Sequence, residues 1–111
     1  MDIDVKDIGK VTVVAPHGDV DMAVADDVRV RLTQLVDRGR ALLVLDLAAV
    51  MYIDSSGLGA VVAAMKHARA AGGDIKVCAL EEDVRSVFEM THLNTLLAVH
   101  ATRQDAIAAW G

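Results

Sequence analysis

The chain has one cysteine, three aromatic residues and too few basic side chains to balance its acidic ones, leaving a formal net charge of −5. Each shortage narrows the field. A lone Cys78 cannot close an intramolecular disulfide, which fits a reducing cytosol. Few aromatics on an acidic chain argue against nucleic acid, which rewards basic surfaces and stacking platforms. The same charge disfavours adsorption to anionic membranes. The longest apolar runs fall far short of the ~20 residues a membrane helix needs, so direct membrane insertion is not expected. Met1-Asp2-Ile3-Asp4-Val5 has neither a basic region nor an apolar block, so no signal peptide is read there. The expected setting is cytoplasmic.

Recognised catalytic and ligand patterns are also missing. His17, His67, His92 and His100 are scattered, without the i, i+4 spacing that gathers ligands around a metal, so no metal site is expected. Cys78 lies in an apolar strand, where a buried inert thiol is expected. Gly57-Leu58-Gly59 lacks the further glycine and lysine of a phosphate-binding loop, and no dinucleotide fingerprint occurs, so no cofactor is expected. The serines precede the glycines, opposite to a hydrolase nucleophile elbow. The chain is not expected to be an enzyme.

What is present is a foldable pattern. With 111 residues, 54% hydrophobic and 24% charged, residues 1–111 read as one globular domain. Residues 3–15 read as a hairpin turning at Gly9-Lys10 and ending at Pro16-His17-Gly18. From Met22 to Arg38, Val24, Val28, Leu32, Leu35 and Val36 recur at helical spacing, with Asp21 as N-cap and Gly39 as C-terminal cap. Ala41–Leu45 is apolar without alternation, as in a strand covered on both faces. A helix follows from about Gly57 to Ala71, ended by Gly72-Gly73, and then a strand over Ile75–Leu80. Glu81-Glu82-Asp83 opens a short helix with acidic residues at its positive end. Leu96–Val99 reads as a last strand, and residues 103–110, capped by Thr102, as a last helix packing through Ala106, Ile107 and Trp110. The order β-β-α-β-α-β-α-β-α implies an α/β fold with a mixed, mostly parallel sheet of about five strands and about four helices.

The stretch that stands out is Met51-Tyr52-Ile53-Asp54-Ser55-Ser56-Gly57-Leu58-Gly59. One side-chain oxygen suffices to cap a helix, yet a carboxylate and two hydroxyls follow one another here. Glycine in a first turn costs about 0.5–1 kcal/mol against alanine, so Gly57 and Gly59 imply close approach by a neighbouring strand or another protein. A serine at this place can accept phosphate, adding roughly −1.5 to −2 charges. The helix N-terminus tolerates that charge, whereas a partner docked over it would have to bury it beside Asp54 and near Asp21.

These segments resemble the STAS domain, and within it the stand-alone bacterial anti-sigma factor antagonists. Gly18-Asp19-Val20-Asp21 is similar to the family's Gly-Glu-Leu-Asp loop. Val44-Leu45-Asp46-Leu47 with Ile53-Asp54-Ser55-Ser56-Gly57-Leu58-Gly59 resembles its most distinctive segment, and Phe88-Glu89-Met90-Thr91-His92-Leu93-Asn94 the stretch before the last strand. The resemblance spans essentially the whole chain. It implies a STAS-type domain with helices chiefly on one sheet face. It further implies partner switching: the unphosphorylated protein binds an anti-sigma factor serine kinase and frees a sigma factor, phosphorylation turns binding off, and a metal-dependent serine phosphatase restores it. By position the acceptor is Ser55, with Ser56 the runner-up, and the partner-binding surface comprises Asp21, Asp54, Ser55, Ser56, Gly57, Leu58 and Gly59. Asp19 stands where glutamate is commoner and His92 where glycine is frequent, so a different backbone shape is expected in the loop at His92. The rival reading is a STAS subunit of a larger assembly, such as a cytosolic component of a lipid-transporting ABC system or a signalling scaffold, without a phosphoswitch.

Overall fold

In this computed structural model, which describes residues 1–111, the β-branched runs at the start form an antiparallel hairpin of β1 (Asp2–Ile8) and β2 (Val11–His17). Pro16 lies inside β2 rather than ending it, paired across to Ile3. Pairing of β2 with the next strand stops at Val14, so the proline sits where β2 has only β1 beside it. The remaining strands, β3 (Leu42–Asp46), β4 (Asp74–Cys78) and β5 (Ala98–His100), are all parallel to β2, in the spatial order β1-β2-β3-β4-β5. Parallel neighbours require crossovers, which the helices supply.

The sheet's two faces are covered unequally. Leu43, Leu45, Ile75 and Val77 project into the larger core, where they meet α1 (Ala25–Asp37), α2 (Ser55–Ala70) and α3 (Glu82–Met90). Val28, Leu32 and Leu35 recur at helical spacing on α1, as do Val61, Ala64, Met65 and Ala68 on α2, and each row is buried. On the opposite face Val11, Val13, Val44 and Cys78 are covered by Ala106 and Ile107 of the terminal helix α5 (Arg103–Ala108), which ends two residues before the expected 110, and by Trp110 in the turn beyond it. Burial on both sides explains why β3 is apolar without alternation.

Both long helices end in the same way. The amide of Gly39 donates to the Val36 carbonyl and that of Arg40 to Leu35; the amide of Gly72 donates to Arg69 and that of Gly73 to Ala68. These paired bonds, with Gly39 at φ +86 and Gly72 at φ +83, form Schellman ends in which a left-handed residue satisfies the last carbonyls.

Several boundaries differ from the sequence expectation. α1 begins at Ala25 rather than Met22, because residues 22–24 form a separate turn. α2 begins at Ser55, two residues before Gly57, and so takes both serines into its first turn. A single-turn helix, α4 (Leu93–Leu96), lies between α3 and β5, making five helices rather than about four, and β5 starts at Ala98 instead of Leu96. His92, expected to alter the loop, adopts φ +60, ψ +19, the left-handed conformation glycine favours. A non-glycine residue thus occupies a glycine-type turn.

Candidate functional site

The serine turn is built by two loops far apart in sequence. Val20 and Ile53 form an isolated parallel β-bridge, in which the Val20 amide donates to the Tyr52 carbonyl at 2.9 Å and the Asp54 amide to the Val20 carbonyl at 3.3 Å. The Gly18 amide donates to the Ala49 carbonyl at 3.1 Å below it. Both bridge residues are buried, so their side chains anchor the loops in the core while the residues on either side face outward.

Asp54 joins the two loops to α2. Its backbone is extended, as an N-cap requires, and Oδ1 accepts the Gly57 amide at 2.9 Å. Oδ2 accepts the Met22 amide at 3.0 Å, so one carboxylate holds both the helix start and the neighbouring loop. Asp21 serves the adjacent turn: its Oδ1 accepts the Ala23 amide at 3.0 Å, and its carbonyl accepts from Val24 at 3.1 Å and Ala25 at 2.8 Å. It therefore caps the turn preceding α1, whereas Val24 occupies the N-cap position of the helix itself.

Ser55 is exposed and Ser56 half-buried, and neither hydroxyl enters a hydrogen bond within the chain. Their amides are among those an α-helix leaves without an internal partner. Gly57 and Leu58 are buried and Gly59 is exposed. A Cβ at position 57 would lie 2.3 Å from the Val20 carbonyl oxygen and 2.7 Å from Ile53 Cγ1, so the close neighbour that demands this glycine is the chain's own bridge. A Cβ at position 59 would meet nothing within 4 Å. Gly59 lies instead on an open depression of about 240 Å³ between α1 and α2, shared with Met22, Arg29 and Ser56. Arg29 is held there by Asp26 at 2.6 Å.

The sequence reading missed three residues. Met22 is 79% exposed, Met51 63% and Tyr52 53%, and all flank the serine turn. Methionine and tyrosine inside apolar runs read by default as core. For Tyr52 the available signal was alternation: with Ile53 anchored inward, Tyr52 must face outward, whereas Met22 and Met51 fall on the inward parity and gave no such signal.

The remaining ionisable groups lie elsewhere. His17 pairs with Asp4 at 2.7 Å across the hairpin, and His67 with Asp37 at 2.6 Å between α2 and α1. Asp46, at the buried end of β3, accepts from Arg103 Nε at 2.7 Å and from the Ala48 amide at 3.0 Å, fixing α5 and the start of the loop that leads to Ser55. Beside it, burial and then the Asp46 carboxylate push the Cys78 thiol up to about 12. A thiol held protonated in this way is not a nucleophile at neutral pH. No three His, Cys, Asp or Glu side chains are grouped to hold a metal ion, and no helix is long and apolar enough to cross a membrane.

A family model described as the STAS domain matches residues 2–106. The chain belongs to the STAS domain family. Among curated relatives of this STAS protein, BtrV of Bordetella bronchiseptica, described as an anti-sigma factor antagonist, is 35% identical over 94 residues, covering 85% of this chain and 81% of the relative. The anti-sigma-B factor antagonist of Bacillus subtilis is 30% identical over 90 residues, covering 81% and 82%. A crystal structure described as an anti-sigma factor antagonist from Thermotoga maritima matches with a TM-score of 0.92 at 22% identity, covering 96% of this chain and 92% of that one. The Bacillus cell-fate determinant SpoIIAA, solved in its phosphorylated form, matches with a TM-score of 0.76 at 20% identity, covering 99% and 100%. At such identities the two structures establish a shared fold, while the sequence relatives are regulators by name.

Proposed function

We propose that this STAS protein is an anti-sigma factor antagonist that acts by partner switching in the cytoplasm. Unphosphorylated, it binds an anti-sigma factor that is also a serine kinase, and a sigma factor is released. The kinase phosphorylates Ser55 and the complex separates; a metal-dependent serine phosphatase returns the protein to its binding form. The protein catalyses nothing itself and is the substrate of both enzymes.

One observation carries this reading: Ser55 is an exposed hydroxyl with no partner in the chain, at the first position of a 16-residue helix already capped by Asp54. A serine needed for capping would be engaged, and this one is not. Ser56 is the less accessible alternative, turned toward the depression between α1 and α2. Phosphate on Ser55 adds roughly −1.5 to −2 charges where the helix dipole and free amides accept them, so the fold tolerates it. A partner closing over Ser55 would have to bury that charge beside Asp54, and an uncompensated buried charge costs several kcal/mol. The names of the relatives support the same role.

Incubation with candidate anti-sigma factor kinases and ATP, followed by mass spectrometry, is expected to place one phosphate on Ser55. No incorporation at Ser55 or Ser56 by any kinase that binds the protein would sink the switch. Ser55→Ala is expected to bind the kinase constitutively and Ser55→Asp to bind weakly; equal affinities would contradict the charge argument.

A further inference from the structure

The surface around Ser55 has two concentric chemistries. Met22, Met51 and Tyr52 are large apolar side chains left substantially in water, although the core has room for 31 other hydrophobic residues. They are placed there by construction. The Asp54 carboxylate fixes the Met22 backbone at 3.0 Å, and the Val20–Ile53 bridge turns Tyr52 outward. Beyond them stand Asp19 and Asp21, neither of which forms an ion pair within the chain, and the nearby Arg29 is occupied by Asp26. No lysine belongs to either loop.

We propose that Met22, Met51 and Tyr52 are the apolar centre, and Asp19 and Asp21 the acidic rim, of the surface that receives the partner. The partner's matching surface is an apolar hollow bordered by lysine or arginine side chains. This rests on the anti-sigma factor reading and names the contacts through which it operates.

The two chemistries have separable effects. Exposed carboxylates steer a basic partner during encounter, and that attraction is screened by salt over about 8–10 Å at ordinary ionic strength. Apolar side chains excluded from water at the centre of an interface hold the complex once formed, and their loss appears in dissociation. The arrangement also answers a difficulty in the phosphoswitch. A basic partner should attract a phosphate, so added charge alone would tighten the complex. Ser55 comes three residues after Tyr52 and adjoins Asp54, whose carboxylate holds the Met22 amide, so the phosphate arrives beside the apolar centre rather than at the Asp19 and Asp21 rim where the cations are. There it must lose its water without gaining a counter-ion.

Binding kinetics of the full chain with its cognate anti-sigma factor kinase test this. Met51→Ser and Tyr52→Ser are expected to raise the dissociation rate on the order of tenfold each, as hot-spot truncations do, with little change in association. Asp19→Asn with Asp21→Asn is expected to lower the association rate and flatten its salt dependence. Met90→Ser serves as a control, because Met90, like Met22, is 79% exposed but lies at the end of α3, and it should change nothing. All the apolar targets are exposed, and thermal melts should match the wild type. If Ser55→Asp abolishes binding while the Met51 and Tyr52 variants bind as wild type, the proposed surface is wrong and the phosphoswitch stands. If the wild type does not bind the kinase at all, both fall.

Discussion

Gly57 and Gly59 occupy one helix two positions apart, yet different surroundings fix them. Gly57 faces the Val20 carbonyl, which leaves no space for a Cβ, so Gly57→Ala must push the two loops apart and is expected to destabilise by about 1–3 kcal/mol, as overpacking does. Gly59 faces open space, so Gly59→Ala is expected to stabilise by roughly 0.5–1 kcal/mol through helix propensity. Urea unfolding of the pair reads both signs at once. Asp54 offers a graded test by the same measurement. Asp54→Ala removes a cap and the Met22 clamp, with an expected cost of about 1–2 kcal/mol, whereas Asp54→Asn keeps one oxygen and should fall between. Cys78 sets a pH dependence. Its thiol is raised from 9.0 to about 12 in the folded chain, so the native state holds the proton more tightly. The resulting stability is complete below the unfolded value and is lost as pH rises from about 9 toward 12. Between pH 9 and 10.5 the wild type should therefore lose stability more steeply than Cys78→Ala. At this scale the carboxylate-and-hydroxyl helix start and the inert thiol were legible, because each follows from residue type and local spacing. The neighbour of Gly57 was not, since it comes from a loop that only the fold brings near.

Helix ends were easier to read than helix starts. Gly39 and Gly72-Gly73 mark their ends because a left-handed residue is needed there and glycine provides it without strain. The starts were misplaced for opposite reasons. Met22–Val24 continues the apolar pattern of α1 but belongs to a turn held by Asp21, and Ser55-Ser56 reads as a polar cap but is already helix. α4 escaped notice because four residues are too few to display a period. Its entrance has a consequence for stability. His92 at φ +60 carries strain that glycine would not, and Ala79 at φ +58, just after β4, does likewise. His92→Gly and Ala79→Gly are each expected to raise stability by up to about 1 kcal/mol, since a left-handed residue with a Cβ costs roughly 1–2 kcal/mol and glycine gives part of that back as unfolded-state entropy. Thermal denaturation at fixed pH checks it, and a loss of stability at both positions would contradict the strain.

For the molecule as a whole, strand-helix alternation sufficed to give the mixed, mostly parallel sheet, because parallel strands need crossovers, while the strand order β1-β2-β3-β4-β5 and the face covered by α5 emerge only in the fold. The proposed partner surface was only half legible. Its polar residues stand out in the sequence, while the exposure of Met22, Met51 and Tyr52 appears only in the fold. The scaffold under that surface is predicted to be indifferent to charge at Ser55. Ser55→Asp should match the wild type in circular dichroism and in melting to within about 0.5 kcal/mol, because an acidic side chain suits a helix N-terminus while Asp54 repels it. A last consequence belongs to the Val20–Ile53 bridge. The turn around Ser55 owes its shape to a segment more than thirty residues upstream, so the recognition proposed for it is predicted to be conformational, with no linear equivalent. A synthetic peptide spanning residues 50–60 would carry every letter of the acceptor stretch without its extended entry, its clamp or its facing methionine. Such a peptide should be neither a substrate for the kinase nor a competitor of the folded protein. Under the proposed switch, a kinase would write on this serine only after folding, and a chain that fails to fold would be left unmarked.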